Sequence, residues 1–195
     1  MAADIPVRSP VVKIYTRSGD DGTTGLFYGG RVRKDGTGPE AYGSVDEAVS
    51  ALGTARAEAE GPLADRILAV QRDLFVVGAE LATAVSNRPK LVPEVSRVSG
   101  EMVDRLERDI DEVVEASGLP TEFVVPGGTR VAAALDLARS ITRRAERRAV
   151  THLAESGIED SEAVVYLNRL ADYLYVLARS AEGTWVPSRS EEDSE

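Results

Sequence analysis

From Val131 to His152 the residues Val131, Leu135, Ala138, Thr142, Ala145, Ala149 and His152 fall at steps of 4, 3, 4, 3, 4 and 3, which is one face of an α-helix. That face is mostly alanine. A helix with so slight a stripe can approach its neighbours closely but brings little apolar area of its own, so other helices or another subunit must supply the bulk. The rhythm recurs four times. Leu63, Ile67, Val70, Leu74, Val77 and Leu81 follow it after Gly61-Pro62, where proline suits a first helical turn. Val45, Val49, Leu52 and Ala55 mark a helix before it; Val103, Leu106, Ile110 and Val113 mark one after it, with Ser99 as N-cap and Gly118 as stop. Leu167, Leu170, Leu174 and Leu177 mark the last, from about Asp160 to Ala181. Five helices joined by short Gly or Pro connections predict an all-α, five-helix bundle with no internal repeat.

The chain of 195 residues holds no Cys and one His, which excludes disulfides, thiolate metal sites and thiol nucleophiles and leaves too little imidazole for an ordinary zinc site. Lys and Arg number 23 against 33 Asp and Glu, and the net charge of −10 argues against nucleic acid or an anionic membrane as partner. Neither a signal segment nor a membrane span is visible, so a cytoplasmic protein is expected. The expected layout is an N-terminal arm (1–12), a single domain (13–185) and an acidic, disordered tail (186–195).

Four segments could carry chemistry. In YTRSGDDGTTGLFYGGRVRKD, glycines at 19, 22, 25, 29 and 30 interleave with Thr16, Ser18, Thr23 and Thr24, and Arg31, Arg33 and Lys34 follow. Backbone N–H groups, hydroxyls and a lysine suit a polyphosphate, though no Walker A pattern is present and a plain loop or hairpin is the simpler reading. Arg130 to His152 carries six Arg and two acids, and Arg139, Arg143 and Arg147 share a face. Like charges four apart destabilise a helix, so an anion or neighbouring carboxylates should meet that face. In YLNRLADYLYVLAR, Asn168, Asp172, Tyr175 and Arg179 form a polar line, for which the arginines of the fourth helix are the expected partners; Tyr166, Tyr173 and Tyr175 read as packing residues with wet hydroxyls. FVVPGGT, Phe123 to Thr129, is a strand-like stretch that either connects helices or holds an aromatic over a ligand. Asp46 and Glu47 read as acids at the start of the first helix, and His152 as a partly buried helix residue.

In this order, KIYTRSGDDGTTGL, GGRVRKD, AYGSVDEA, FVVPGGT, LARSITRRAERR and YLNRLADYLYVLAR resemble the ATP:cob(I)alamin adenosyltransferases of the PduO type, over about residues 13–185. The resemblance implies a trimeric five-helix bundle with active sites between subunits. It implies transfer of the 5′-deoxyadenosyl group of ATP to the cobalt of cob(I)alamin, with release of triphosphate. Cobalt is then the nucleophile, and the protein has only to orient ATP and stabilise the leaving group. By resemblance, Thr16, Arg17, Ser18, Gly19, Thr24, Gly25 and Lys34 cradle ATP, with Arg143, Arg144, Ala145, Glu146, Arg147 and Asn168 completing that site. Arg143 is the expected phosphate ligand, and Asp46 and Arg139 the expected salt bridge across the subunit interface. Phe123 matches the aromatic that occupies the lower face of the corrin and excludes the axial base. Mg²⁺ is expected on the ATP phosphates with no protein ligand assigned. A cob(II)alamin reductase and an adenosylcobalamin-dependent acceptor enzyme are the partners such a role implies. One departure stands out: ALDLAR places Asp136 where the family often has His, and an Asp carboxylate cannot donate a hydrogen bond as imidazole does.

Overall fold

The computed structural model describes residues 14–189, so the predicted N-terminal arm and the last six residues of the predicted tail lie outside the described residues. A short antiparallel hairpin, β1 (Thr23–Gly25) and β2 (Arg31–Arg33), precedes five helices: α1 (Thr37–Ala57), α2 (Gly61–Leu81), α3 (Gly100–Ser117), α4 (Arg130–Ser156) and α5 (Ala163–Ser180). A 3-10 segment, Val85–Lys90, follows α2. The five helices stand where the apolar spacing puts them. Their ends have local causes: Ser99 Oγ accepts the Met102 N–H at the start of α3, Thr129 Oγ1 accepts the Ala132 N–H at the start of α4, and Gly118 and Gly157 close these two helices at positive φ.

Successive helices run up and down. Glu40 of α1 meets Arg148 of α4 while Glu47, further on, meets Arg144, so α1 and α4 are antiparallel. Asn168 reaches Glu146 and Arg179 reaches Asp136, which makes α5 antiparallel to α4. Between α1 and α4 the contact is the most extensive in the bundle, and both faces are small: Ala41, Ala48 and Ala55 on one side, Ala132, Ala138, Ala145 and Ala149 on the other, all fully buried. The bulk that α4 lacks comes from Ile67, Leu74 and Val77 of α2, Leu106 of α3 and Leu167, Leu170, Leu174 and Leu177 of α5. Each such burial is worth about 1.5–3 kcal/mol against exposure, several times what an alanine methyl returns.

Three expectations change. Helix α1 begins at Thr37, so Asp46 and Glu47 sit in its middle and only Glu40 occupies the first turn. Tyr166 and Tyr173 are fully buried, and their hydroxyls are not wet: Tyr166 Oη–H donates to Asp73 Oδ2 at 2.9 Å, and Tyr173 Oη accepts from Arg66 at 3.3 Å. Burial, with Asp73 alongside, pushes the Tyr166 phenol well above its ordinary pKa. Residues 186–189 are not a loose tail. Val186 O accepts the Val125 N–H at 2.8 Å and Ser188 N–H donates to Phe123 O at 2.7 Å, so the chain beyond α5 pairs with the 119–129 connection.

The alanine seam carries a prediction. Ala145→Leu forces three extra heavy atoms into a fully buried contact and should cost about 1–3 kcal/mol. Ala116→Leu, on an exposed position of α3, should be close to neutral. Thermal denaturation of the two variants checks this, and equal melting temperatures would show that the seam has slack.

Candidate active site

The glycine-rich segment is held in shape by its own side chains. Asp21 Oδ1 accepts both the backbone N–H and the hydroxyl of Thr23, at 2.9 and 2.7 Å. These bonds, more than the nearby Arg31, hold the Asp21 carboxyl below its ordinary pKa. Arg31 crosses the hairpin to donate to Ser18 O and Thr23 Oγ1, and Thr16 Oγ1 lies 2.8 Å from Ser18 Oγ. Thr24 pairs with Val32 and Gly25 with Arg31 in the strand register. Lys34 folds back over the loop, close enough that a Cβ on Gly19 would sit 3.2 Å from its Nζ. Arg17 lies in the left-handed region at φ 62° with its guanidinium over the Tyr15 ring. One small loop thus gathers the exposed cations Arg17, Arg31 and Lys34 with the hydroxyls of Thr16, Ser18 and Thr23.

The hairpin is seated on the bundle at its far turn, where Tyr28, Gly29 and Gly30 all have positive φ. The Phe27 N–H donates to Ala82 O, and the Asn87 side-chain amide donates to the carbonyls of Tyr28 and Gly29. Buried Glu80 fixes that 3-10 segment, accepting from Arg88, Ser161 and the Val98 N–H. Asn87 and Glu80 were not singled out from the sequence, where a lone Asn in a connector carries no pattern. At the other end of this seat His152 packs against Gly38, which a Cβ would bring to 3.1 Å from the ring. Its Nε2 lies 3.2 Å from Leu81 O, a carbonyl to which the ring N–H donates.

On α4 the arginines divide into two rows. Arg144 and Arg148 turn to α1 and pair with Glu47 and Glu40. Arg143 and Arg147 are exposed, and among the described residues neither has a carboxylate within ion-pair distance. Glu146, on the same flank, is taken by Asn168 at 2.9 Å, while Ala145 is buried in the seam. Polar residues of α5 thus meet acids of α4 more than its arginines. Asn168 and Asp172 are exposed, and Asp172 pairs within its own helix with Arg169. The buried member of that line is Arg179, which pairs with Asp136; Arg139 lies above Tyr175 with its Nε 3.7 Å from Asp136. Asp136 is therefore an anchor for arginines, which accounts for a buried carboxylate at this position.

Phe123 stands 86% exposed on the 119–129 connection, at the rim of an open cleft of about 520 Å³ whose floor includes Tyr175. Asp46, exposed on α1, borders a separate apolar groove of about 450 Å³ beside Phe27, Tyr42 and the 66%-exposed Phe75. Within one chain no ion pair joins Asp46 to Arg139, and no hydrogen bond or ion pair joins the hairpin loop to Arg143, Arg147 or Asn168. The expected site residues thus stand apart within one chain: the hairpin loop, the arginine flank of α4, the Phe123 connection, and Asp46 on α1 away from Arg139.

Fold and site together define a helical-bundle protein with exposed cations on a hairpin loop and on one helix flank, and an exposed aromatic beside an open cleft. The chain belongs to the cobalamin adenosyltransferase family, whose sequence model matches residues 14–181. It is 43% identical over 173 residues to a corrinoid adenosyltransferase of Citrobacter freundii, covering 88% of this chain and 96% of that one. It is 39% identical to one of Bacillus subtilis, covering 86% of each. Among solved structures, a Phe-to-Ala variant of a PduO-type ATP:corrinoid adenosyltransferase from Lactobacillus reuteri, complexed with cobalamin and ATP, superposes with a TM-score of 0.81 at 31% identity, over 91% of this chain and all of that one. An Arg-to-Lys variant of the enzyme from the same organism, complexed with ATP, gives a TM-score of 0.80 at 31% identity, over 90% of this chain and all of that one.

The His152 seat predicts a pH dependence. Desolvation depresses its pKa below the ordinary value, against smaller opposing effects of Leu81 O and Glu155. The fold therefore favours the neutral ring, so its contribution is complete above about pH 6.5 and is lost as pH falls from there through the lowered folded value. Melting temperature measured from pH 7.5 to 5 should fall more steeply for the native chain than for His152→Gln; parallel curves would remove His152 from this role.

Proposed function

We propose that this chain transfers the 5′-deoxyadenosyl group of ATP to the cobalt of cob(I)alamin, forming adenosylcobalamin and triphosphate at sites completed between the subunits of a cytoplasmic homotrimer. Family membership supports the chemistry. The observation that carries the site assignment is the pair of exposed arginines, Arg143 and Arg147, left without a carboxylate on a helix whose neighbouring arginines are paired.

On this reading Thr16, Arg17, Ser18, Gly19, Thr24, Gly25 and Lys34 hold the triphosphate, and Arg143 with Arg147 faces its charge from another subunit. Arg144, Ala145, Glu146 and Asn168 line the same flank, the Glu146 to Asn168 bond fixing where a nucleoside could be contacted. The electron pair on reduced cobalt forms the Co–C5′ bond as the C5′–O bond breaks, and the electrons of that bond leave with triphosphate. No protein nucleophile is needed, so a chain with no Cys is equal to the task. Charge builds on the departing oxygen, where lysine and arginine donors held in place act without reorganisation. Mg²⁺ enters on the ATP phosphates. Phe123 is assigned to the lower corrin face, where displacing the axial base makes Co(II) easier to reduce, and Asp46 to Arg139 of another subunit. A cob(II)alamin reductase before the reaction and an adenosylcobalamin-dependent enzyme after it complete the role. Among the described residues no helix is long and apolar enough to cross a membrane.

Incubation with ATP, Mg²⁺ and chemically reduced cobalamin tests the reading. A light-sensitive Co–C product and stoichiometric triphosphate are expected; binding without turnover would make the chain a carrier instead. Arg143→Ala should lower kcat by about 10²–10³-fold, the usual effect of removing one fixed donor to a developing anion, in a protein that still folds. Phe123→Ala should slow the reaction begun from Co(II) far more than the reaction begun from Co(I), whereas equal losses would mean that Phe123 only packs.

A further inference from the structure

Arg179 is 1% exposed at the end of α5, where a guanidinium cannot stay unpaired. Two nearly buried carboxylates meet it, Asp136 of α4 and Glu182 just beyond α5, the latter 3.1 Å from its Nε. Tyr175 lies under both Arg179 and Arg139, at 5.3 and 5.9 Å from ring centre to guanidinium carbon. Two arginines and two acids thus form a neutral cluster below the cleft, with Arg139 at its partly exposed edge. What leaves this cluster is directed at one place. The other oxygen of Glu182 accepts the Gly128 N–H at 3.0 Å, Thr129 Oγ1–H donates to Ala181 O, and the Trp185 indole N–H donates to Arg179 O at 3.1 Å. Trp185 leads into the strap whose backbone holds Phe123 and Val125. At Gly128 a Cβ would stand 3.1 Å from the Glu182 side chain, so any larger residue would push that carboxylate aside by a few tenths of an ångström.

Phe123 itself is too exposed to be placed by packing; its connection is held at its base by Glu182 and along its edge by residues 186–188. We infer that Arg179, Asp136 and Glu182 form an ionic clamp that positions the Phe123 connection over the cleft, with Glu182 as the positioning residue that carries the alignment from the bundle to the loop. This rests on the assignment of Phe123 to the corrin. The Glu182 side chain is only 2% exposed, so it acts through the loop: one oxygen lies at ion-pair distance from the Arg179 guanidinium and the other accepts the Gly128 N–H. Trp185, the chain's single tryptophan, reports that geometry without any turnover.

The test compares Glu182→Ala, Glu182→Gln, Gly128→Ala, Phe123→Ala and the Phe123→Ala/Glu182→Ala double variant as full-length protein. Glu182→Ala and Gly128→Ala should move Trp185 emission to the red and raise its quenching by acrylamide while helical circular dichroism is unchanged. Both should raise KM for cob(II)alamin about tenfold and leave KM for ATP within twofold. Glu182→Gln keeps an acceptor for Gly128 and should recover most of the loss. The double variant should be no worse than Phe123→Ala, because Glu182 acts through that ring. Parallel rises in both KM values, or additive losses in the double variant, would overturn the clamp. So would an unchanged Trp185 spectrum in Glu182→Ala. If the native chain forms no Co–C product, the functional assignment fails, while the tryptophan measurements still decide whether the clamp holds the loop.

Discussion

The close contact between α1 and α4 governs the rest of the molecule. Alanines at 41, 48 and 55 face alanines at 138, 145 and 149, all fully buried, and side chains of one carbon let two backbones approach until their flanks interact. That approach brings Glu40 and Glu47 within reach of Arg148 and Arg144, and Thr37 within 2.9 Å of Glu155. Helical rotation puts Arg143 and Arg147 about 100° away from the row that faces α1, on the flank toward α5. A seam of small residues therefore decides which arginines are consumed by the fold and which stay free. Leucines in the seam would separate the helices and loosen the pairing at its edge.

Charge inside the bundle follows a second rule: each buried ionic group is shared by more than one partner. Glu80 serves Arg88, Ser161 and the Val98 amide, and Arg179 takes both Asp136 and Glu182. Such groups add little net stability over apolar packing, because desolvation cancels most of the attraction. Their effect is geometric. Glu80 fixes the segment that carries Asn87, and Asn87 fixes the hairpin turn; Glu182 fixes the connection that carries Phe123. Both irregular stretches named as site elements are tethered to the bundle through a buried carboxylate.

The helices were legible because period, cap and stop agree: Ser99, Gly118 and Gly157 do locally what the apolar spacing requires globally. The hairpin was half legible, since its glycines mark turns but say nothing of Arg31 crossing to Ser18. Asp136 shows why the rest was not. Beside the arginines of its own helix it reads as a missing imidazole, and only folding brings Arg179, 43 residues later, onto it. Glu182 was hidden for the same reason: an acid three residues past an arginine is a common surface pair, and nothing in the chain order announces Gly128 as its second partner. The start of α1 was misjudged by nearly three turns because Gly38, Pro39 and Gly43 weaken its first half on propensity, where packing against His152 and α4 overrides it.

Unpaired arginines are informative here because acids are in excess, 33 against 23 bases over the whole chain. A carboxylate at almost any neighbouring position on α5 would neutralise Arg143 and Arg147, and like charges four apart cost a few tenths of a kcal/mol without one. Glu146 stands beside them and is instead turned to Asn168. The hairpin cradle, meanwhile, is seated at the level of His152, nine residues along α4 from Arg143, roughly 13 Å at 1.5 Å per residue. Within one chain the hairpin is held to Ala82 and Asn87, and no hydrogen bond or ion pair brings its cations to Arg143 or Arg147. A second copy of the chain removes that separation, since halves from two subunits can meet across a boundary while each keeps the contacts that shape it. On the proposed assignment, that division lets each half keep its own contacts while the two halves face one triphosphate.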